Sequence, residues 1–256
     1  MKISVLYLGR IECFKYHLVA CEDRKEVIRS PVPAILIEHP VLGRILYDTG
    51  NSPLYASAYP DSVKEIYPIS EFISIETALR EKGLTPADID MLIISHLHFD
   101  HAGGMQYFKG TKAIKNVIVS EAELETAYAQ TESNSEGPYI RSLFDIAGIV
   151  FRPIKEDTVL ADDLQLFIQQ SHTPGVLGMI LETRSKGTVI ATSDTVYTRE
   201  SYDKELPPGG PINKTEQEFY DNLSRIKRLE KERSAVLLFG HDYDQIAAWH
   251  QEGAFE

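Results

Sequence analysis

Short apolar runs alternate with capped, amphipathic stretches along most of this chain, the pattern expected of strands interleaved with helices. The brief apolar run within residues 1–10 predicts a first strand; it is too short for the core of a signal peptide. Residues 34–39 and 44–47 flank Pro40-Val41-Leu42-Gly43 and predict a hairpin that runs into Asp48-Thr49-Gly50. Ser70 is placed to cap a helix reaching Lys82, where Gly83 stops it, and Thr85-Pro86 predicts another helix start. Residues 91–94 read as a buried strand that delivers Ser95 and His96. Residues 117–119 predict a strand, after which Ser120 and Glu123 form a capping box opening a helix to Gln130. Residues 164–168 alternate like a half-buried strand on the way to His172, and 179–182 pair with 188–191 around Ser185-Lys186-Gly187 before Asp194. Thr215 and Glu218 form a second capping box, starting a helix of about four turns. Residues 235–239 predict a last strand ahead of Gly240 and His241.

One regularity stands out. His96, His172, Asp194 and His241 each follow an apparent strand or hairpin, so all four can converge on one sheet edge.

Composition narrows the function classes. A length of 256 residues suits one α/β domain spanning 1–256, and 43% hydrophobic with 25% charged residues suits a globular core. The net charge of -12 repels nucleic acid at long range. The nearest basic stretch, Arg225-Ile226-Lys227-Arg228, is followed by mixed signs and reads as a solvated face. Cys13 and Cys21 match no zinc or redox spacing and no disulfide framework. No apolar run approaches the roughly 20 residues of a membrane span, so a cytoplasmic protein without a membrane partner is expected.

The chemistry concentrates in His96-Leu97-His98-Phe99-Asp100-His101-Ala102-Gly103-Gly104. Four metal-capable side chains in six positions cannot all face one way on a strand or a helix. A tight loop would splay them into two groups, His96 with His98 and Asp100 with His101. Neutral imidazoles and a carboxylate suit Zn²⁺ and similar first-row ions. Gly103 and Gly104 would let the following helix approach the site closely. A lone histidine would read as a cap or a surface residue; this cluster, with three distant partners at strand ends, does not.

The segment resembles the HxHxDH signature of the metallo-β-lactamase superfamily. Asp48 in DTG, His172 in HTPG, Asp194 in SD and His241 in GHD follow in that family's order, so the resemblance covers nearly the whole chain. It implies an α/β fold, an αββα sandwich of two mixed β-sheets flanked by helices, with the site on one edge. It also implies that His96, His98 and His172 bind one metal ion, that Asp100, His101 and His241 bind a second, and that Asp194 bridges them. Asp48 would orient a ligand imidazole by hydrogen bond. Two divalent ions are thus implied, Zn²⁺ first, with Fe²⁺, Mn²⁺ and Co²⁺ also suited. Val176 stands where many relatives carry a second histidine, a position that is not a family ligand. His17, His39 and His250 read as surface or structural residues.

Two adjacent ions can share a water, lower its pKa toward neutrality and polarise a carbonyl, so no protein nucleophile is required. No Gly-x-Ser-x-Gly elbow suggests one. Tyr197 lies three positions after Asp194, which resembles the spacing in N-acyl-homoserine lactone lactonases, where the phenol points at the substrate carbonyl or leaving oxygen. Residues 33–50 resemble the N-terminal half of those enzymes. The 15 residues after His241 leave no room for the C-terminal helical domain by which glyoxalase II-type thioesterases hold glutathione. Class B1 β-lactamases carry Cys where Asp194 stands, flavodiiron proteins carry Glu where His98 stands, and phosphodiesterase members suit the acidic charge poorly. The resemblance therefore implies lactone hydrolysis, with a lactone or ester as the small-molecule partner. Tyr197 and one metal would stabilise the oxyanion, and Asp100 would pass a proton to the departing alkoxide. A small-molecule thioesterase or esterase is the alternative, and monomer and homodimer both remain open. The 198–213 loop, with Pro207-Pro208-Gly209-Gly210-Pro211, is a candidate pocket wall.

Overall fold

Strands covered on both faces read as unbroken apolar runs, and the computed structural model, which describes residues 1–133, 136–209 and 216–256, shows where each face goes. One sheet contains β1 (Lys2–Phe14), β2 (Val27–His39), β3 (Gly43–Tyr47), β4 (Ile69–Phe72), β5 (Met91–Ile93), β6 (Val117–Ser120) and β7 (Phe151–Ile154). A second contains β8 (Thr158–Ala161), β9 (Leu164–Gln169), β10 (Val176–Thr183), β11 (Gly187–Ser193) and β12 (Val236–Phe239). β13 (Ala254–Phe255) returns to the edge of the first. The first sheet runs β13-β1-β2-β3-β5-β6-β7, with β4 also paired to β1; the second runs β12-β11-β10-β9-β8. Both are mixed: β3 to β7 pair in parallel through β5 and β6, as do β11 and β12, while the other pairs are antiparallel.

The alternation of side chains along each strand builds the layers. Ile35, Ile37, Ile45, Met91 and Ile93 meet Leu164, Leu166, Met179 and Val189 of the other sheet in one buried cluster. The intervening Leu36, Leu46 and Leu92 point the other way, onto Ile75, Leu79 and Phe108 of the flanking helical segments. Behind the second sheet, Phe167, Ile190, Leu237 and Phe239 pack on Phe219, Leu223 and Ile226 of the helix Glu216–Arg233. The result is helix, sheet, sheet, helix, the αββα sandwich expected from the motifs. Each fully buried aliphatic side chain contributes roughly 1.5–3 kcal/mol, so a one-residue register slip, which would turn a whole strand over, is strongly disfavoured. Among the described residues no helix is long and apolar enough to cross a membrane.

Several local expectations need correction. Ser70 caps nothing: it lies in β4, which pairs with β1, and Ser74 instead caps the helix Ile75–Glu81 by accepting from the Thr77 amide. Thr85-Pro86 opens only a single 3-10 turn, Pro86–Asp88. The Ser120/Glu123 box is half formed, because Ser120 accepts from the Glu123 amide while the Glu123 carboxylate goes elsewhere. The helix Glu216–Arg233 has 18 residues, about five turns rather than four, and Thr215 lies outside the described residues. The short strands β4, β7, β8 and β13 and the helix Tyr243–Glu252 are additions to the elements expected from sequence.

The candidate ligands sit where strands end. Asp48 follows β3, His96 closely follows β5, His172 follows β9, Asp194 follows β11 and His241 follows β12. The loop after β3 and the helical segment after the HxHxDH motif are locked together: Thr49 N–H and Oγ1 each donate to the His101 carbonyl at 2.8 Å, and Gly104 N–H donates to the Gly50 carbonyl at 3.0 Å. This approach is what Gly103 and Gly104 permit. A Cβ at Gly104 would stand 2.2 Å from the Thr49 carbonyl oxygen, and one at Gly103 would stand 2.4 Å from the Ser52 nitrogen. We expect Gly104→Ala to cost about 1–3 kcal/mol, because the obstructing atoms are backbone. Urea unfolding should show the midpoint falling at unchanged slope; an unaltered midpoint would refute the packing argument.

Candidate metal centre

The motif leaves extended geometry and enters a short helix, Phe99–Ala102, midway through its length. His96 and His98 precede the helix while Asp100 and His101 lie inside it, and that break points the two pairs in different directions. His172 and Asp194 arrive from loops of the second sheet and His241 from the end of β12. Three residues at these crossings adopt left-handed backbone, Asp48 (φ 61°), His172 (φ 72°) and Ser193 (φ 49°). Such conformations cost roughly 1–3 kcal/mol each and persist only where surrounding structure over-determines them.

All seven residues come together in two abutting groups. In the first, His172 Nε2 lies 2.9 Å from both His96 Nε2 and His98 Nδ1. In the second, His101 Nε2 and His241 Nε2 lie 3.8 and 4.0 Å from Asp100 Oδ2. Asp194 stands between them. Its Oδ1 is 3.2 Å from His101 and 3.1 Å from His241, while its Oδ2 is 3.5 Å from His172 and 3.8 Å from His96.

Electrostatics separates the groups. Burial, reinforced by neighbouring imidazoles, holds His96 and His98 well below the usual histidine range and pushes His172 down to about 4. These rings are therefore neutral, the ligating form. Burial also works against charge on His101, but the carboxylates of Asp194, Asp100 and Asp48 outweigh it and raise the ring well above its ordinary value. Burial alone would raise Asp194, yet His101, His241 and His96 carry it well below the carboxylate range. Three carboxylates around one buried imidazole mark a place that favours positive charge.

These residues fit divalent metal ions on their own geometry. His101 Nε2 is buried and has no hydrogen-bond partner among the described residues, despite the nearby carboxylates. A single His172 nitrogen cannot donate to two neighbours at once, so the close approach of three ring nitrogens is not explained by hydrogen bonding alone. Neutral imidazoles with carboxylate oxygens are a donor set that first-row ions accept, and three overlapping triads of such groups lie here within ligand reach of one another.

The outer contacts hold the rings in place. Asp48 Oδ2 lies 2.8 Å from His101 Nδ1, and Asp48 also accepts from the Ser95 amide (2.7 Å) and hydroxyl (2.8 Å). His241 Nδ1 meets Ser30 Oγ at 2.8 Å and the Pro31 carbonyl at 3.0 Å. Tyr197 Oη is 2.8 Å from His172 Nδ1. Sequence reading missed Ser30 and Ser95. Ser95 adjoins the motif and was within reach; Ser30 lies 211 positions from His241 and carries no local signal. Of the unassigned histidines, His39 accepts from the amides of Val41 and Leu42 and faces Asp163, His250 faces the Val5 carbonyl, and His17 packs on Tyr67.

Above the cluster opens a cavity of about 630 Å³, lined by Ile11, Leu18, Val63, Ile66 and Phe99 on one side and by Ala122, Pro138 and Tyr139 on another. Cys13 lies in this wall, but burial pushes its thiol up to about 12, so it offers no thiolate nucleophile near neutrality. No described residue of the 198–213 loop lines the cavity. Residues 199–204 form a helix, the Ala20 amide donates to Pro207 and the Gly209 amide to Tyr16, while 210–213 lie outside the described residues.

A family profile described as the metallo-beta-lactamase superfamily matches residues 27–241. The chain belongs to that superfamily. Among its relatives, an N-acyl homoserine lactonase of Bacillus cereus is 29% identical over 239 residues, covering 87% of this chain and 89% of the relative. An N-acyl homoserine lactonase of Agrobacterium fabrum is 29% identical over 272 residues, covering 96% and 95%. Among solved structures, an N-acyl homoserine lactone hydrolase with N-hexanoyl-L-homoserine bound at its catalytic metal centre superposes with a TM-score of 0.80. It is 25% identical, over 96% of this chain and 95% of that one.

We expect Asp48→Asn to release the His101 ring while still accepting from Ser95. Retention of metal by the purified protein against a chelator should fall about 10–100-fold, as for other hydrogen-bond partners of ligand histidines. Retention equal to wild type would show that Asp48 serves the turn alone.

Proposed function

We propose that this chain is a dinuclear metal-dependent hydrolase that opens the ring ester of lactones, N-acyl homoserine lactones in particular. The observation that carries the reading is Asp194, whose two oxygens face two separate groups of ligand-type side chains on the floor of a largely apolar cavity. In this reading His96, His98 and His172 would hold one divalent ion and Asp100, His101 and His241 the other, with Asp194 shared between the two groups. Zinc is the ion that a donor set rich in imidazole suits first, with iron, manganese and cobalt also accommodated. Ions held there supply an activated water near neutral pH and Lewis acidity at the ester carbonyl.

The chain's own groups do the rest. His172 turns Nε2 toward the other ligand nitrogens, so as a neutral ligand it carries its proton on Nδ1 and donates to Tyr197 Oη. The phenol proton is then free to donate to the oxyanion that forms as the ester opens. Burial, with Asp194 and other neighbours, holds the Tyr197 phenol well above its ordinary value, which keeps it a donor. Burial also raises the Asp100 carboxyl, which suits a group that passes a proton to the departing alkoxide. The apolar wall formed by Ile11, Leu18, Val63 and Ile66 suits an acyl chain. Kinship with named lactonases over most of the chain supports the same substrate class.

Proton release from N-hexanoyl-homoserine lactone, measured beside a thioester and a nitrocefin-like β-lactam, should show the lactone turned over fastest. A thioester that outran it would move the assignment to the thioesterase alternative. Chelation should abolish the rate and zinc restore it. Tyr197→Phe should lower kcat about 10–100-fold with little change in KM, because the lost donor acts on the oxyanion.

A further inference from the structure

We propose that Glu123 is a positioning residue for the three-histidine group, acting on His96, His98 and His172 through the backbone and loop that carry them; this rests on the metal reading above. Glu123 lies in the first turn of the helix Glu121–Ser133 and is completely buried. A carboxylate is costly to bury, so what it touches matters. Its Oε1 accepts from the Leu97 amide at 2.7 Å. Leu97 is the residue between His96 and His98, and an amide pinned there restrains both rings at once.

The other carboxylate oxygen is buried without a hydrogen-bond partner among the described residues, although Thr173 and Tyr139 are near enough to offset part of the rise that burial imposes on the carboxyl. Thr173 directly follows His172, and the Tyr139 ring stands against the His98 ring with centroids 4.5 Å apart. The helix start grips the loop that follows His172: Ser120 Oγ donates to the Gly175 carbonyl at 2.7 Å, and a Cβ on Gly175 would fall 2.7 Å from the Glu123 nitrogen. The start of this helix thus joins the two segments, remote in sequence, that supply all three histidines: Glu123 holds the Leu97 segment and Ser120 the loop after His172.

Helix capping does not account for the carboxylate. Ser120 already caps the helix by accepting from the Glu123 amide, while the carboxylate turns away to Leu97. Nor does the second group depend on it. His101 is held by Asp48, and His241 by Ser30 and Pro31. Loss of Glu123 should therefore loosen one ion of the pair and spare the other.

The test is cobalt titration of the chelator-treated full-length protein, followed by visible absorbance and equilibrium dialysis, for wild type, E123Q, E123D and E123L. In E123L one of the two cobalt ions should bind about 10–100-fold more weakly, with the other held within about threefold of wild type. E123D, whose shorter side chain retracts from Leu97, should show an intermediate loss for the same ion and decides the matter if E123L does not fold. E123Q, whose amide oxygen still accepts from Leu97, should recover most of the binding. A merely structural role would instead lower the thermal midpoint and weaken both ions alike. That result, or wild-type titrations in both E123D and E123L, overturns the proposal. A wild-type protein that took up no cobalt would overturn the metal reading with it.

Discussion

Charge buried without compensation is the constraint on which the rest of this structure depends. Asp100 and Asp194 lie out of water among five imidazoles, a grouping that forgoes hydration and whose mutual attractions do not satisfy every group. Neutral His96, His98 and His172 and a carboxylate-enclosed His101 describe a patch that lowers its free energy when positive charge enters it. A site of this kind cannot hold itself together; its neighbours must prevent the side chains from drifting apart or turning toward water.

Those neighbours are the strand ends. The first sheet supplies His96, His98, Asp100 and His101, and the second supplies His172, Asp194 and His241, so each group is completed only when the sheets are stacked in register. The apolar cluster between the sheets therefore contributes to the site as well as to stability. Left-handed backbone at Asp48, His172 and Ser193 is the local cost of turning each strand end into the cluster, and the hydrogen bonds of Asp48, Ser30 and Tyr197 hold the rings once they arrive.

The cavity links this arrangement to substrate choice. Its floor is charged and its upper walls are aliphatic and aromatic, which matches a ligand with one polar, reactive end and one apolar arm. The wall is drawn from β1, the segment after it and the short helix Asp61–Ile66, together with Ala122, Pro138 and Tyr139; no described residue of the 198–213 loop takes part. Pro207 and Gly209 of that loop instead hydrogen-bond to Ala20 and Tyr16.

Residue type and spacing by themselves determined the ligand-type cluster, the strand that precedes it and the alternation that sorts the layers. These are local properties: four metal-capable groups in six positions cannot share one face, and apolar runs near five residues long in an α/β chain demand two covered faces. Short β4, β7 and β8 escaped because they are partly exposed and lack the unbroken apolar run that made the equally short, buried β6 legible; their stability comes from neighbours in the sheet. Only the tertiary structure decided which serine supports His241, where the Glu123 carboxylate goes and which segments wall the cavity. Each of those is a contact between residues far apart in the chain. Such contacts are set by how two sheets and their helices pack, and no local preference encodes them.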